Sequence, residues 1–164
     1  MAMIPQARAA REAGMYVQLA FWNFFFELPW SLRGMANIMM DYYTATDEVR
    51  RLHRALADTY MAYIETAAEW FQPDSFWTSD DLGHQTGPMM SPKIFRELLF
   101  PYYADVIGAA HAHGMHVWLH SCGDNGLLMP DLVAAGLDVF HPVQKHTMGE
   151  IETMERFGGQ LAFL

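Results

Sequence analysis

The segment His116-Val-Trp-Leu-His-Ser-Cys-Gly-Asp-Asn-Gly126 joins a short apolar run to a histidine, the chain's single cysteine and a glycine-bounded turn. Such a run, ending on glycine and turn residues, reads as a strand that empties into a loop. Side chains alternate across a strand, so Trp118, His120 and Cys122 share one face while Val117, Leu119 and Ser121 share the other. An imidazole and a thiol therefore meet on neighbouring same-side positions at a strand's carboxyl end, where the loops of α/β folds build sites. His120 and Cys122 are candidate zinc ligands. The alternative for the same residues is a buried thiol beside a hydrogen-bonded core histidine.

Around this strand the chain alternates strand and helix. Upstream, Gly14–Asn23 reads as a buried strand and Phe24–Trp30 as an aromatic loop ending at Pro29. Ser31 is read as the cap of a helix over Leu32–Tyr43, and Thr46 as the cap of a long helix over Asp47–Phe71. The apolar positions of the long helix are Val49, Leu52, Leu56, Tyr60, Tyr63, Ile64 and Ala67. Ser75–Gly83 reads as a strand ending on Asp80 and Asp81. Ser91-Pro92 opens a helix that Pro101 kinks and Gly114 stops. Downstream follow a helix over Leu127–Ala135, a strand over Leu137–Val143, a helix over Met148–Phe157 and the beginning of a strand at Leu161–Leu164. This rhythm specifies an α/β fold of parallel strands with helical crossovers. An open doubly wound sheet and a (β/α)8 barrel of about 250 residues both use it. A last strand without a covering helix favours a partial (β/α)8 barrel over residues 14–164, after an N-terminal segment of residues 1–13.

The 164 residues are 52% hydrophobic and 18% charged, enough to build a core. A net charge of -9 with scattered basic residues argues against nucleic acid as a partner. Asn23, Glu27 and Pro29 interrupt the longest apolar cluster, so no membrane span is expected. Residues 1–13 lack the apolar run of a signal peptide, and one cysteine builds no disulfide framework. A cytoplasmic location is expected.

Further candidates surround the central strand. Asp81 shares the predicted face of Trp77 and Ser79 and is the candidate catalytic carboxylate, orienting a ligand histidine or contacting a polar substrate group. A turn-forming role for Asp80 and Asp81 stands beside it. His141 and Gln144 end the next strand in the layer of Cys122 and are candidate substrate contacts, with His141 also open to a replacement-ligand or plain strand-end role. His84 is read as a solvated loop residue, and His111, His113 and His116 as residues around a helix end. Trp22, Trp30 and Trp118 are read as barrel filling, with a wall for a flat corrin or tetrapyrrole as the alternative. Gly123-Asp-Asn-Gly126 is read as a turn rather than an anion site.

The motifs Asp80-Asp-Leu-Gly-His-Gln-Thr-Gly-Pro-Met-Met-Ser-Pro92, Phe100-Pro-Tyr-Tyr103, His113-Gly114, His120-Ser-Cys-Gly123 and Phe140-His-Pro-Val-Gln144, taken in order, resemble the uroporphyrinogen decarboxylase superfamily. The His-x-Cys pair is most similar to its cobalamin-dependent methyltransferase branch. The resemblance implies a (β/α)8 barrel with its site at the strand carboxyl ends and zinc on His120 and Cys122. In those methyltransferases a later cysteine completes the ligands, whereas this sequence carries Cys122 alone. The implied reaction moves a methyl group from a methyl-corrinoid to a thiol or similar acceptor. No corrinoid-binding Asp-x-His-x-x-Gly signature is present, so a corrinoid-carrying protein, or a small-molecule methyl donor, is the expected partner. Two other functions remain beside it: a porphyrinogen decarboxylase, whose arginine-rich segment Arg8–Gly14 copies poorly, and a non-catalytic half-barrel whose sheet edges are completed by another chain, as in a homo-oligomer.

Overall fold

The computed structural model describes residues 3–164. Five strands form one parallel sheet in the spatial order β1 (Gln18–Phe21), β2 (Ser75–Ser79), β5 (His116–His120), β6 (Val139–His141), β7 (Ala162–Phe163). A small antiparallel hairpin, β3 (Gly83–His84) and β4 (Gly87–Pro88), rises between β2 and β5 and was not expected from the sequence. Each new strand of the main sheet is added on the same side as the last. A doubly wound sheet reverses its strand order, so the observed order is that of a barrel wall.

The helices are α1 (Met3–Glu12), α2 (Glu27–Arg33), α3 (Met35–Thr44), α4 (Thr46–Trp70), α5 (Pro92–Leu98), α6 (Phe100–Ala112), α7 (Met129–Ala134) and α8 (Glu150–Phe157). Apart from α1, which buries no residue, they pack on the sheet face that carries Phe76, Val117, Leu119 and Phe140, all buried in the core. Each such side chain contributes about 1.5–3 kcal/mol by leaving water. The opposite face, with Ala20, Trp77, Trp118, His120 and His141, is partly open. Among the described residues no helix is long and apolar enough to cross a membrane.

Several local expectations need correction. The first strand is an edge strand whose residues are exposed or half-buried rather than fully buried. The helix expected over Leu32–Tyr43 is two helices, because Gly34 adopts φ 85° between them. Ser31 does not cap; it lies inside α2 and donates its hydroxyl to the Glu27 carbonyl at 2.6 Å. Thr46 is the first residue of α4 after Ala45, and no side chain caps that end. On α4 the buried stripe runs through Val49, His53, Ala57, Tyr60, Ile64 and Ala67, leaving Leu52 and Tyr63 exposed at its margins. Ser91 does cap α5, its hydroxyl oxygen accepting the Ile94 N–H.

Pro101 breaks α5 from α6, and the break leaves the Leu98 carbonyl without a helical partner. Buried His53 supplies one: its Nδ1 lies 2.6 Å from that oxygen. Burial pushes the His53 pKa down, which suits a neutral ring donating from Nδ1.

At the end of β2, Asp80 turns into the helical layer and is completely buried. Its carboxylate accepts the N–H of Phe26 at 2.9 Å, the N–H of Glu27 at 2.7 Å and the Tyr103 hydroxyl. One side chain thus ties β2 to the start of α2 and to α6. Asp80→Ala leaves these donors unsatisfied and is expected to cost about 3 kcal/mol in a denaturant melt. Burial, opposed by the Tyr103 and backbone hydrogen bonds, pushes the Asp80 pKa up from 3.8 to about 7. The folded chain then holds a proton that the unfolded chain has released, so this contribution is complete below pH ~4 and is lost as pH rises to ~7. Relative to Asp80→Asn, the wild-type melt should lose about 2 kcal/mol between pH 5 and pH 7.5.

Candidate metal centre

The turn after β5 is fixed by its own polar groups. Fully buried Asn125 donates from Nδ2 to the carbonyls of Ser121, Cys122 and Gly123 at 3.3, 3.1 and 3.1 Å. Ser121 donates its hydroxyl to Asn125 Oδ1 and accepts the Leu82 N–H. The hairpin leans on the same turn: Asp124 N–H donates to the His84 carbonyl at 2.7 Å. Gly83 and Gly123 meet backbone to backbone, and a Cβ on Gly123 would lie 2.3 Å from the Gly83 carbonyl carbon. The turn N–H groups of Gly123, Asp124 and Gly126 all have protein acceptors, in keeping with a plain turn.

On this base three side chains converge. Cys122 Sγ lies 3.4 Å from His120 Nε2, and Asp81 Oδ1 lies 3.6 Å from the same nitrogen. One ligand atom from each residue falls within 4.8 Å of the others. Tetrahedral zinc with bonds of about 2.0–2.3 Å sets its ligand atoms about 3.3–3.7 Å apart. The donors, a thiol, an imidazole and a carboxylate, are those zinc takes. Asp81 is held in place by the Cys122 N–H, which donates to Oδ1 at 2.8 Å.

Electrostatics prepares the two ligands differently. Burial pushes His120 down, with Asp81 opposing, so the ring offers Nε2 as a lone pair at neutral pH. Burial and the Asp81 carboxylate push the Cys122 thiol up, so it must lose a proton to bind a metal. His120 Nδ1 stands 2.9 Å from His141 Nδ1. With Nδ1–H donated to His141, the Nε2 lone pair of His120 faces Cys122 and Asp81.

The other sequence-derived candidates lie around the cluster. Gln144 accepts the Gly123 N–H on Oε1 at 2.7 Å and so clamps the turn. His84 is exposed on the hairpin. His111 lies beside Asp138 and His116 beside Tyr16, with His116 at the amino end of its strand. The Trp77 ring is 6.2 Å from that of His120, and Trp22 packs edge-on against Trp77 at 4.7 Å. Trp22 is 71% exposed on the open face of the sheet. One residue the sequence did not reveal is Glu27, which reads only as an interruption of an apolar run. Its Oε2 accepts the Ser79 hydroxyl at 2.6 Å, and its charge acts on both His120 and Cys122. Only the parallel register, which sets Ser79 level with His120, brings it to the site.

A solved methyltransferase from Methanosarcina mazei shares the fold, with a TM-score of 0.69 at 15% identity over 85% of this chain. The chain spans 40% of that protein's length. No curated protein sequence matches the chain significantly. The uroporphyrinogen decarboxylase (URO-D) family model matches residues 26–161, and with strands added in barrel order beneath the motifs quoted above, the chain belongs to the uroporphyrinogen decarboxylase family.

Proposed function

We propose that this chain forms the zinc-holding wall of a methyltransferase barrel, in which a methyl group passes from a methyl-corrinoid or a small-molecule donor to a thiol or similar acceptor. The observation that carries the reading is the spacing of His120 Nε2, Cys122 Sγ and Asp81 Oδ1, which suits one zinc ion. Asp81 is the third donor that this chain's own residues offer. Bound zinc would supply the Lewis acidity that keeps an acceptor thiol ionised at neutral pH.

The chain's own residues do the rest. His120, oriented by His141, would hold zinc through Nε2, and Cys122 would hold it as a thiolate. His141 and Gln144, engaged at Nδ1 and Oε1, keep their Nε2 groups for substrate. The Ser121–Asn125 network holds the turn so that ligand spacing is set before the metal arrives. A corrinoid donor would arrive on a partner protein. A free Cys122 thiol suits a reducing, cytoplasmic setting. The porphyrinogen reading has less support, since an acidic tetrapyrrole needs cations and the charges acting on His120 and Cys122 include the carboxylates Asp81 and Glu27.

Elemental analysis should find zinc in the purified protein, and methyl transfer from methylcobalamin to a small thiol should disappear in Cys122→Ala. Porphyrinogen decarboxylation by metal-stripped protein would replace this reading with the carboxy-lyase one. His120 is already neutral and Cys122 is not yet ionised near pH 7, so binding releases one proton. Zinc affinity should therefore rise about tenfold per unit between pH 6 and pH 8, measured by competition with a chelator. His141→Ala should lower that affinity by about 10–100-fold through the loss of an orienting partner.

A further inference from the structure

We infer that the mouth of the open sheet face binds a cationic methylated head group, a quaternary ammonium or sulfonium ion, between the Glu27 carboxylate and the indoles of Trp22 and Trp77. The inference rests on the methyl-transfer reading for its meaning, because it names the chemical class of the methyl donor. Phe21 pairs with Thr78 in register, so Trp22 continues β1 beside Ser79, the residue that donates its hydroxyl to Glu27. Trp22 and Glu27 are thereby brought to the same level of the sheet, one from the strand end and the other from the first turn of α2. The Trp22 ring meets Trp77 at 4.7 Å and 70° yet stays 71% exposed, leaving an indole face toward solvent. The Trp77 ring in turn lies 6.2 Å from that of His120, so a head group held by the two indoles borders the metal cluster.

Charge selects the ligand. Eight of the ten basic side chains are ion-paired, all of them on helices. The groups whose charges act on His120 and Cys122 are Asp81, Glu27 and His141, with no lysine or arginine among them. Two carboxylates at the sheet level of an exposed indole, Trp22, and a half-buried one, Trp77, attract a cation that is large, poorly hydrated and unable to donate a hydrogen bond, which describes a methylated onium ion. Methyl transfer from such a donor balances without an oxidant or reductant. The acceptor thiolate's electron pair forms the new S–C bond, and the broken C–N or C–S pair leaves with a neutral amine or sulfide.

The test titrates the protein with choline and with 3,3-dimethylbutan-1-ol, its uncharged isostere, following tryptophan fluorescence. Choline should bind at least tenfold more tightly. Glu27→Gln should erase that preference, and Trp22→Ala, at an exposed position, should weaken choline binding while the chain stays folded. Equal affinities for the two probes, or binding of neither, would overturn the inference. Repeating the titration with Cys122→Ala separates it from the metal reading: choline selectivity that survives without zinc binding sustains the cation site alone, and zinc binding without selectivity sustains the metal site alone.

Discussion

Two adjacent carboxylates at the end of β2 divide the molecule. Asp80 points into the helical layer, where the N–H groups of Phe26 and Glu27 and the Tyr103 hydroxyl surround it. Asp81 points to the open face and meets His120 and Cys122. Alternation across the extended backbone forces the two apart, so one carboxylate of the pair serves the fold and the other reaches the candidate metal centre. The coupling is direct. Asp80 fixes the first turn of α2, and the residue it holds by the backbone is Glu27, whose side chain reaches Ser79 beside the cluster.

The turn after β5 shows the same economy of polar groups. Asn125 is buried with its amide shared among three carbonyls, so moving Cys122 would break several bonds together. Gly83 against Gly123 gives a close approach with no side chain between the hairpin and the turn. A ligand group held this way gives up little conformational freedom on binding a metal, since its backbone is already placed. The same contact explains why a hairpin of two-residue strands persists: it is anchored on the turn through the Asp124 N–H bond to His84.

Much of this was legible in the sequence wherever a local rule acts alone. The apolar period of α4, the Ser91-Pro92 start of α5 and the His-x-Cys spacing at the end of β5 each depend on neighbours in the chain, and strand order follows from the crossovers. Legibility failed where distant segments decide. Nothing local marks Asn125 as buried, or Asp80 as the acceptor of groups 54 and 53 residues away. The two-helix break at Gly34 needed the backbone angle, since the apolar spacing continues across it. Glu27 was hidden for a related reason: in an aromatic run a lone carboxylate looks like an interruption, and only the register of β2 against β5 sets its partner Ser79 level with His120.

The open face also explains why the cluster carries the charge it does. A carboxylate on a closed, apolar wall would demand a counter-charge within the same chain. Here Asp81, after β2, and Glu27, in the first turn of α2, are half-buried where water still screens them, and basic side chains pair on the helical exterior. Among this chain's residues, the charged or titratable groups that act on His120 and Cys122 are then Asp81, Glu27 and His141. On the proposed reading, a divalent metal or a positively charged substrate group would gain on binding beside these carboxylates. The strand order that makes a barrel wall is therefore also what sets the sign of the site, because it gathers the carboxyl ends of β2 and β5 under one mouth.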